Sequence, residues 1–240
     1  MATYAEAMAD MRLDYTLSDA MAEYGVPIPV EALHRANVMA QSRVDEVRRA
    51  EPDYGAPGEG REREVLAALS RMGVPDRYLR VPADKRHVQG MLGGRGLYLW
   101  GGVGVGKTFA AASVARGWVA SGRRCRWASS LQLLSDVREA YEGRAVEADV
   151  LAVYATAPLL VVDDLGKEVP TDWALSKVFE VFDRRYGARL PVVVTSQMAP
   201  AELGQHLAQR GGMETAYAIV SRLEETCHVA HLDGQDRRRG

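Results

Sequence analysis

The chain has 240 residues, 32 acidic against 30 basic side chains, a net charge of −2, and a 47% apolar fraction. That length suits one ordinary domain with a small appendage, and the composition is that of a globular protein with a buried core. The near-neutral balance excludes a uniformly basic coat for nucleic acid, and two cysteines, Cys125 and Cys227, exclude a four-cysteine zinc site or a disulfide framework and read instead as small buried apolar groups.

Residues 1–31 carry six acids (Glu6, Asp10, Asp14, Asp19, Glu23, Glu31) and one base (Arg12), a local charge of −5. No basic start followed by an apolar run opens the chain, so no signal peptide is expected. Thr16 or Ser18 can cap a turn or two of helix that stops at Gly25 and Pro27. A longer helix is predicted over 29–50, with Pro29 suited to its first turn. Its apolar stripe of Val30, Leu33, Met39, Val44 and Val47 is too thin for a large core of its own. The run Pro52-Asp-Tyr-Gly-Ala-Pro-Gly-Glu-Gly60 holds three glycines and two prolines, the mark of a linker. The expected organisation is a small helical region over 1–51 that binds a partner, a linker over 52–60, and the main domain over 61–240.

In that domain a helix is predicted over 61–72, with Val65, Leu66, Leu69 and Met72 inward and Gly73 just past its end. Elements then alternate: a strand at 97–100, a helix at 107–119, a strand at 124–128, and a helix capped by Ser129 or Ser130 that carries Leu131, Leu134 and Val137. A strand at 159–162 is apolar on both faces. Thr171 caps a helix whose Leu175, Val178, Phe179, Phe182 and Tyr186 recur at helical spacing up to Gly187. Strands follow at 191–195 and 227–232; His228 and His231 on the last of them read as structural. The longest charge-free apolar stretch, 150–162, is broken by Thr156 and Pro158 and falls short of the ~20 residues of a membrane span. A cytoplasmic protein with no membrane contact is expected. Alternating strands and helices predict an α/β fold with a parallel sheet covered on both faces.

Gly101-Gly-Val-Gly-Val-Gly-Lys107-Thr108 fits the phosphate-loop pattern G-x-x-x-x-G-K-T between a strand and a helix. Gly101, Gly102, Val103, Gly104, Val105 and Gly106 would wrap backbone N–H groups around the β-phosphate, helped by the helix N-terminus. Lys107 would reach the β- and γ-phosphates, Thr108 would ligate Mg²⁺, and Phe109 closes the nucleotide-binding run. Leu159-Leu-Val-Val-Asp-Asp164 ends an apolar strand in two acids. Asp163 would hold Mg²⁺, and Asp164 would orient or polarise the attacking water. ATP and Mg²⁺ are thus the expected ligands. A complete strand between the two motif strands favours hydrolysis over nucleotide sensing. At the tip of Val192-Val-Val-Thr-Ser-Gln197, Thr195, Ser196 or Gln197 could contact the γ-phosphate or the water, the alternative being an ordinary capped strand end.

Together with the phosphate loop, the runs Leu160-Val-Val-Asp-Asp-Leu-Gly-Lys-Glu168, Thr195-Ser-Gln197, Ile219-Val-Ser-Arg-Leu223 and Leu232-Asp-Gly-Gln-Asp-Arg237 resemble AAA+ ATPases of the DnaC/DnaI helicase-loader and IstB transposition-helper group. Gly73-Val-Pro-Asp-Arg-Tyr78 resembles the segment that leads into their core. The resemblance implies a P-loop NTPase fold of AAA+ type, a five-stranded sheet in the order 5-1-4-3-2, ATP-driven homo-oligomers, and ATP sites shared between neighbours. Arg222 matches the arginine finger that reaches a neighbour's ATP. Gln197 stands where the family usually has Asn, so its sensor contact is longer or differently aimed. Only eight residues follow Leu232, leaving no room for a C-terminal helical lid, which this family often lacks, and Arg237 is a weak substitute for a lid-borne sensor.

The resemblance also implies that the insert over 129–154 can bind single-stranded DNA, with Arg138, Tyr141 and Arg144 against phosphate and base. The alternative is a solvated charged face, since Asp136, Glu139, Glu142, Glu147 and Asp149 outnumber the bases there. Arg123, Arg124 and Arg126 read as a strand edge guarded by charge. Three functions remain open. One is a loader whose acidic N-terminal helices dock on a replicative DNA helicase. The second is a transposition helper that assembles on duplex DNA and recruits a transposase. The third is a nucleotide-dependent scaffold with negligible turnover, kept open because Asp164 stands where Glu is more usual.

Overall fold

A computed structural model describes residues 59–140, 146–210 and 212–234. The expected N-terminal helices, the linker up to residue 58, Tyr141, Arg144 and Arg237 lie outside the described residues. Helix α1 (Glu59–Arg71) begins two residues earlier than expected, so Glu59 and Gly60 belong to it and not to the linker. It stops at Gly73, whose φ is +93°. Here the chain passes so close to the second strand that a Cβ would sit 2.7 Å from the Trp127 carbonyl oxygen, and the Trp127 amide donates to the Met72 carbonyl at 2.9 Å. Only glycine meets both demands.

A short α2 (Arg86–Leu92) leads into β1 (Gly96–Trp100), α3 (Lys107–Ala120) and β2 (Arg126–Ser129). Helices α4 (Ser130–Glu139) and α5 (Glu147–Ala155) precede β3 (Leu160–Leu165). Then come α6 (Asp172–Gly187), β4 (Val192–Ser196), α7 (Pro200–Leu207), α8 (Met213–Thr226) and β5 (Cys227–His231). All neighbouring strands run parallel, in the order β2-β3-β4-β1-β5, the expected 5-1-4-3-2 counted from the other edge.

Side chains alternate across this sheet and build two cores. Leu97, Leu99, Val161 and Val193 pack with Ala111, Ala115 and Trp118 of α3 and Leu69 of α1. Tyr98, Leu160, Val162 and Val194 pack with Leu175 and Val178 of α6, Leu203 of α7 and Ile219 of α8. Each fully buried Leu or Val adds roughly 1.5–3 kcal/mol. The two anticipated caps are present: Ser129 Oγ accepts from the Gln132 amide at 3.1 Å and Thr171 Oγ1 from the Ala174 amide at 3.2 Å, each worth about 1 kcal/mol. The apolar stretch 150–162 proves to be two elements, the end of α5 and the start of β3. No helix among the described residues is long and apolar enough to cross a membrane.

The stripe of α6 departs from its sequence pattern. Arg185, 2% exposed, takes the inward place expected for Tyr186. Its guanidinium donates to the carbonyls of Tyr154 (2.9 Å), Ala157 (2.8 Å) and Pro191 (2.5 Å), tying the end of α5 to the approach to β4. The basic cluster does mark a sheet edge: Arg126 opens the edge strand β2 and pairs with Asp136 at 3.2 Å, and Arg123 lies over Trp118.

Candidate ATP site

The loop between β1 and α3 is shaped by close backbone approaches. A Cβ on Gly101 would lie 2.1 Å from the Leu232 carbonyl oxygen, because the Leu232 amide donates to the Trp100 carbonyl at 2.7 Å. The end of β5 thereby pins the first residue of the loop. Gly104 and Gly106 have φ of +81° and +102°, a left-handed backbone that other residues adopt at a penalty. Val105 is buried beneath the loop, while Val103 and Phe109 are exposed. Gly106 is the N-cap of α3 and offers no side-chain acceptor, and no acid stands in the first turn. The positive end of the helix is thus left to an anion. Lys107, 7% exposed, lays its Nζ against the carbonyls of Gly101 (2.8 Å) and Gly102 (2.6 Å) at the mouth of the loop.

The two acids do not sit after the end of β3, as the sequence suggests, but inside it at a bulge. Val162 pairs with Val194 and Leu165 with Ser196, so Asp163 and Asp164 together stand opposite Thr195. Asp164 takes a φ of 60°, a left-handed conformation that Asp tolerates better than most residues. Side chains of β4 and of the first residue of α4 satisfy the interrupted ladder. Thr195 Oγ1 accepts from the Asp164 amide at 2.8 Å, Ser130 Oγ donates to the Asp164 carbonyl at 3.1 Å, and Ser196 Oγ donates to the Leu165 carbonyl at 2.8 Å.

The bulge sends the two carboxylates to different partners. Asp163 Oδ1 accepts from Thr195 Oγ1 at 2.6 Å and from Thr108 Oγ1 at 3.1 Å. The first residues of α3 are thus joined to the end of β3. Asp164 Oδ2 meets Lys167 Nζ at 2.6 Å, in a half-exposed pair. Burial pushes the Asp163 carboxyl above its ordinary range; the Thr195 and Thr108 hydroxyls oppose that rise and the Asp164 charge adds to it.

The direction of this shift gives a test. A carboxyl with a raised pKa in the fold contributes stability at low pH that is lost as pH rises through the folded value. Asp163→Asn keeps an oxygen for both hydroxyls and removes the buried charge. Its melting temperature without nucleotide is expected to match or exceed that of the parent at neutral pH, with the difference closing as pH falls. Mg²⁺-dependent nucleotide binding is expected to be lost. A variant that melts well below the parent at neutral pH while binding Mg²⁺–nucleotide normally would contradict both assignments.

Thr108, Asp163 and Thr195 are therefore joined by hydrogen bonds, with Lys107 directly before Thr108 and Asp164 held to Thr195 through its amide. Thr195 and Ser196 are both fully buried and hold the bulge, so they are not the phosphate contacts proposed from sequence; Gln197 is the exposed residue of that tip and lines a cleft with Asp164, Gly166, Lys167 and Met198. Sequence reasoning missed Lys167, Ser130 and the buried Glu168, whose Oε2 accepts from the Gly166 amide at 3.0 Å. Only Lys167 left a sequence signal, its position three residues after Asp164.

Arg222 lies elsewhere. It sits near the end of α8, which runs into β5, and Cys227 of β5 pairs with Gly96, the first residue of β1. The phosphate loop follows the last residue of β1, about 16 Å farther along at ~3.3 Å per residue. Within the insert, Arg138 lies 5.0 Å over the Trp173 ring, Glu147 pairs with Lys177, and Asp136 with Arg126. These polar groups engage the body of the domain.

The fold is shared with solved structures. The crystal structure of DnaI superposes with a TM-score of 0.56 at 24% identity, over 71% of this chain and 94% of that one. In sequence, the replicative helicase loader DnaI of Bacillus subtilis (strain 168) is 31% identical over 150 residues, 60% of this chain and 48% of that protein. The chromosomal replication initiator protein DnaA of Bordetella pertussis is 32% identical over 109 residues, 45% of this chain and 23% of that protein. The chain thus spans less than half the length of these relatives. The family model described as IstB-like ATP binding protein matches residues 91–240. That match takes in the phosphate loop, both acids of β3 and Arg222, and extends over more than half of the chain, which therefore belongs to the IstB-like ATP-binding protein family.

Proposed function

We propose that this chain is an ATPase that loads a replicative DNA helicase, working in the cytoplasm as an ATP-dependent homo-oligomer. The observation that carries the nucleotide chemistry is the hydrogen-bonded set of Thr108, Asp163 and Thr195 beside Lys107. Lys107 would exchange its loop carbonyls for phosphate oxygens, which draw a cation more strongly than neutral carbonyls do. The Thr108 hydroxyl and the Asp163 carboxylate are hard oxygen donors 3.1 Å apart, a donor set that suits Mg²⁺. When bound, Mg²⁺ would offset the charge of the phosphates. Asp164, turned away from Asp163 by the bulge, would orient the attacking water, with Gln197 beside it in the same cleft. Arg222 lies too far from its own loop to serve it and would act at a neighbour's ATP.

Support for the helicase as partner is the likeness to the DnaI loader. Residues 1–51 would form the partner-binding region, joined through 52–58 to the ATPase domain, which begins with α1 at Glu59. The insert would contact single-stranded DNA. The family model favours a second reading, a transposition helper that assembles on duplex DNA and recruits a transposase.

Co-elution separates the two. With ATP present, the full chain is expected to elute with the replicative helicase of its host, and its ATPase to rise more with single-stranded than with duplex DNA. Elution apart from the helicase, with turnover stimulated by duplex DNA alone, would replace the loader with the transposition helper.

A further inference from the structure

Arg222 is held by two side chains of α6. Its Nε donates to Asp183 Oδ1 at 3.2 Å, and its guanidinium carbon lies 4.2 Å from the centroid of the Tyr186 ring. The ring is itself anchored, since Tyr186 Oη donates to Glu225 Oε1 at 2.7 Å, one turn beyond Arg222 on α8. Asp183 and Tyr186 stand three apart on α6 and so share one face of that helix. Beneath them Phe182 and Leu223, the neighbours of Asp183 and Arg222 in the chain, are buried in the core that joins α6 to α8. The platform therefore rests on packed helices and not on loops.

The manner of holding matters more than the pairing. An arginine that serves only as a helix–helix tie commonly spends its forked Nη pair on a carboxylate. Here the contacts are through Nε and the flat face of the guanidinium. Neither Nη nitrogen makes a hydrogen bond among the described residues, and the side chain keeps 32% of its exposure. A long flexible side chain is thus fixed in one orientation with its two-pronged donor edge left for an acceptor, the arrangement that bidentate recognition of a phosphoryl group requires.

We infer that Asp183 and Tyr186 are positioning residues that hold Arg222 with its Nη pair presented to the γ-phosphate at a neighbouring copy's ATP site. This rests on the shared-site reading of Arg222 given above. Asp183 fixes the guanidinium in its plane through Nε, and Tyr186 fixes the tilt of that plane.

The test uses the full chain, reading steady-state ATP turnover and ATP-dependent self-association by sedimentation. Asp183→Ala and Tyr186→Ala are expected to lower kcat about 10- to 100-fold, the usual consequence of a misplaced catalytic group. KM for ATP is expected to stay within about threefold, because each chain binds ATP through its own loop. Asp183→Asn, which keeps an acceptor for Nε, and Tyr186→Phe, which keeps the ring, are expected to recover most of the loss. Mixing either alanine variant with Lys107→Ala, whose own site is dead but whose Arg222 is intact, is expected to raise turnover above the sum of the two. A loss that mixing does not rescue, or a KM that rises with the fall in kcat, overturns the positioning role in favour of a structural one. Full turnover in both alanine variants beside a crippled Arg222→Ala also overturns positioning but leaves the finger standing. If Arg222→Ala turns over normally, or the parent does not self-associate on ATP, the shared site itself falls and the positioning role with it.

Discussion

Lys107→Ala is expected to weaken ATP binding at least about 100-fold and to remove turnover altogether. Lys107 is 7% exposed, and its ammonium is held at the loop mouth by the Gly101 and Gly102 carbonyls. It is therefore already desolvated and ordered when the nucleotide arrives. A charge-assisted hydrogen bond is worth roughly 1.5–3 kcal/mol, and one cation facing two phosphates makes more than one of them. Alanine also leaves the phosphate charge without its nearest compensation in a site where screening by water is reduced. Titration with a fluorescent nucleotide reads the affinity. Melting temperature serves as the control and should move by only a few degrees, because the lost carbonyl contacts are few. Binding within tenfold of the parent would remove the lysine from the site.

Asp164→Asn is expected to lower kcat by roughly 10²–10⁴, the span of a positioned general base, with ATP affinity nearly unchanged. The substitution is a clean probe of chemistry. Asn is as comfortable as Asp at a φ of 60°, so the bulge and its bonds to Thr195 and Ser130 should persist. The ion pair with Lys167 is half-exposed, and such pairs contribute at most about 1 kcal/mol. The fold therefore should not suffer from its loss, and the lysine does not lock the carboxylate in place. Lys167→Ala provides the comparison: it breaks the same pair and should leave turnover within a few-fold. Equal rates for Asp164→Asn and the parent would mean that Asp164 takes no part in hydrolysis, and the nucleotide-dependent scaffold would become the better reading.

Elements whose cause is local were readable before any coordinates. The phosphate loop is one contiguous run whose glycines answer to a backbone need within that same run. Ser129 and Thr171 cap helices through amides three residues away. The inner strands β1, β3 and β4 show as short apolar runs because a doubly covered parallel sheet buries both faces of each, whereas the edge strand β5 is largely exposed. The short α2 escaped notice because it has seven residues, a Gly within it and no side-chain cap. The bulge escaped for a different reason: it is a relation between β3 and β4, and the string Val-Val-Asp-Asp-Leu carries no mark of where its partner slips by one residue. Arg185 was missed because its four buried carbonyl acceptors come from segments far from it in sequence and from the approach to β4.

By itself the sequence determined that a parallel α/β domain would carry a phosphate loop and two adjacent acids, since those features follow from patterns a few residues long. The tertiary structure alone decided which partners each acid meets and where the arginine stands. Thr195, 31 residues from Asp164, turns the backbone so that one carboxylate faces Thr108 and the other Lys167. Asp183, 39 residues from Arg222, takes its Nε while Tyr186 lies against the guanidinium face, and neither Nη is hydrogen-bonded among the described residues. Hydrogen bonds are short-ranged and directional, so the role of a polar side chain depends on which distant residues folding brings within about 3 Å.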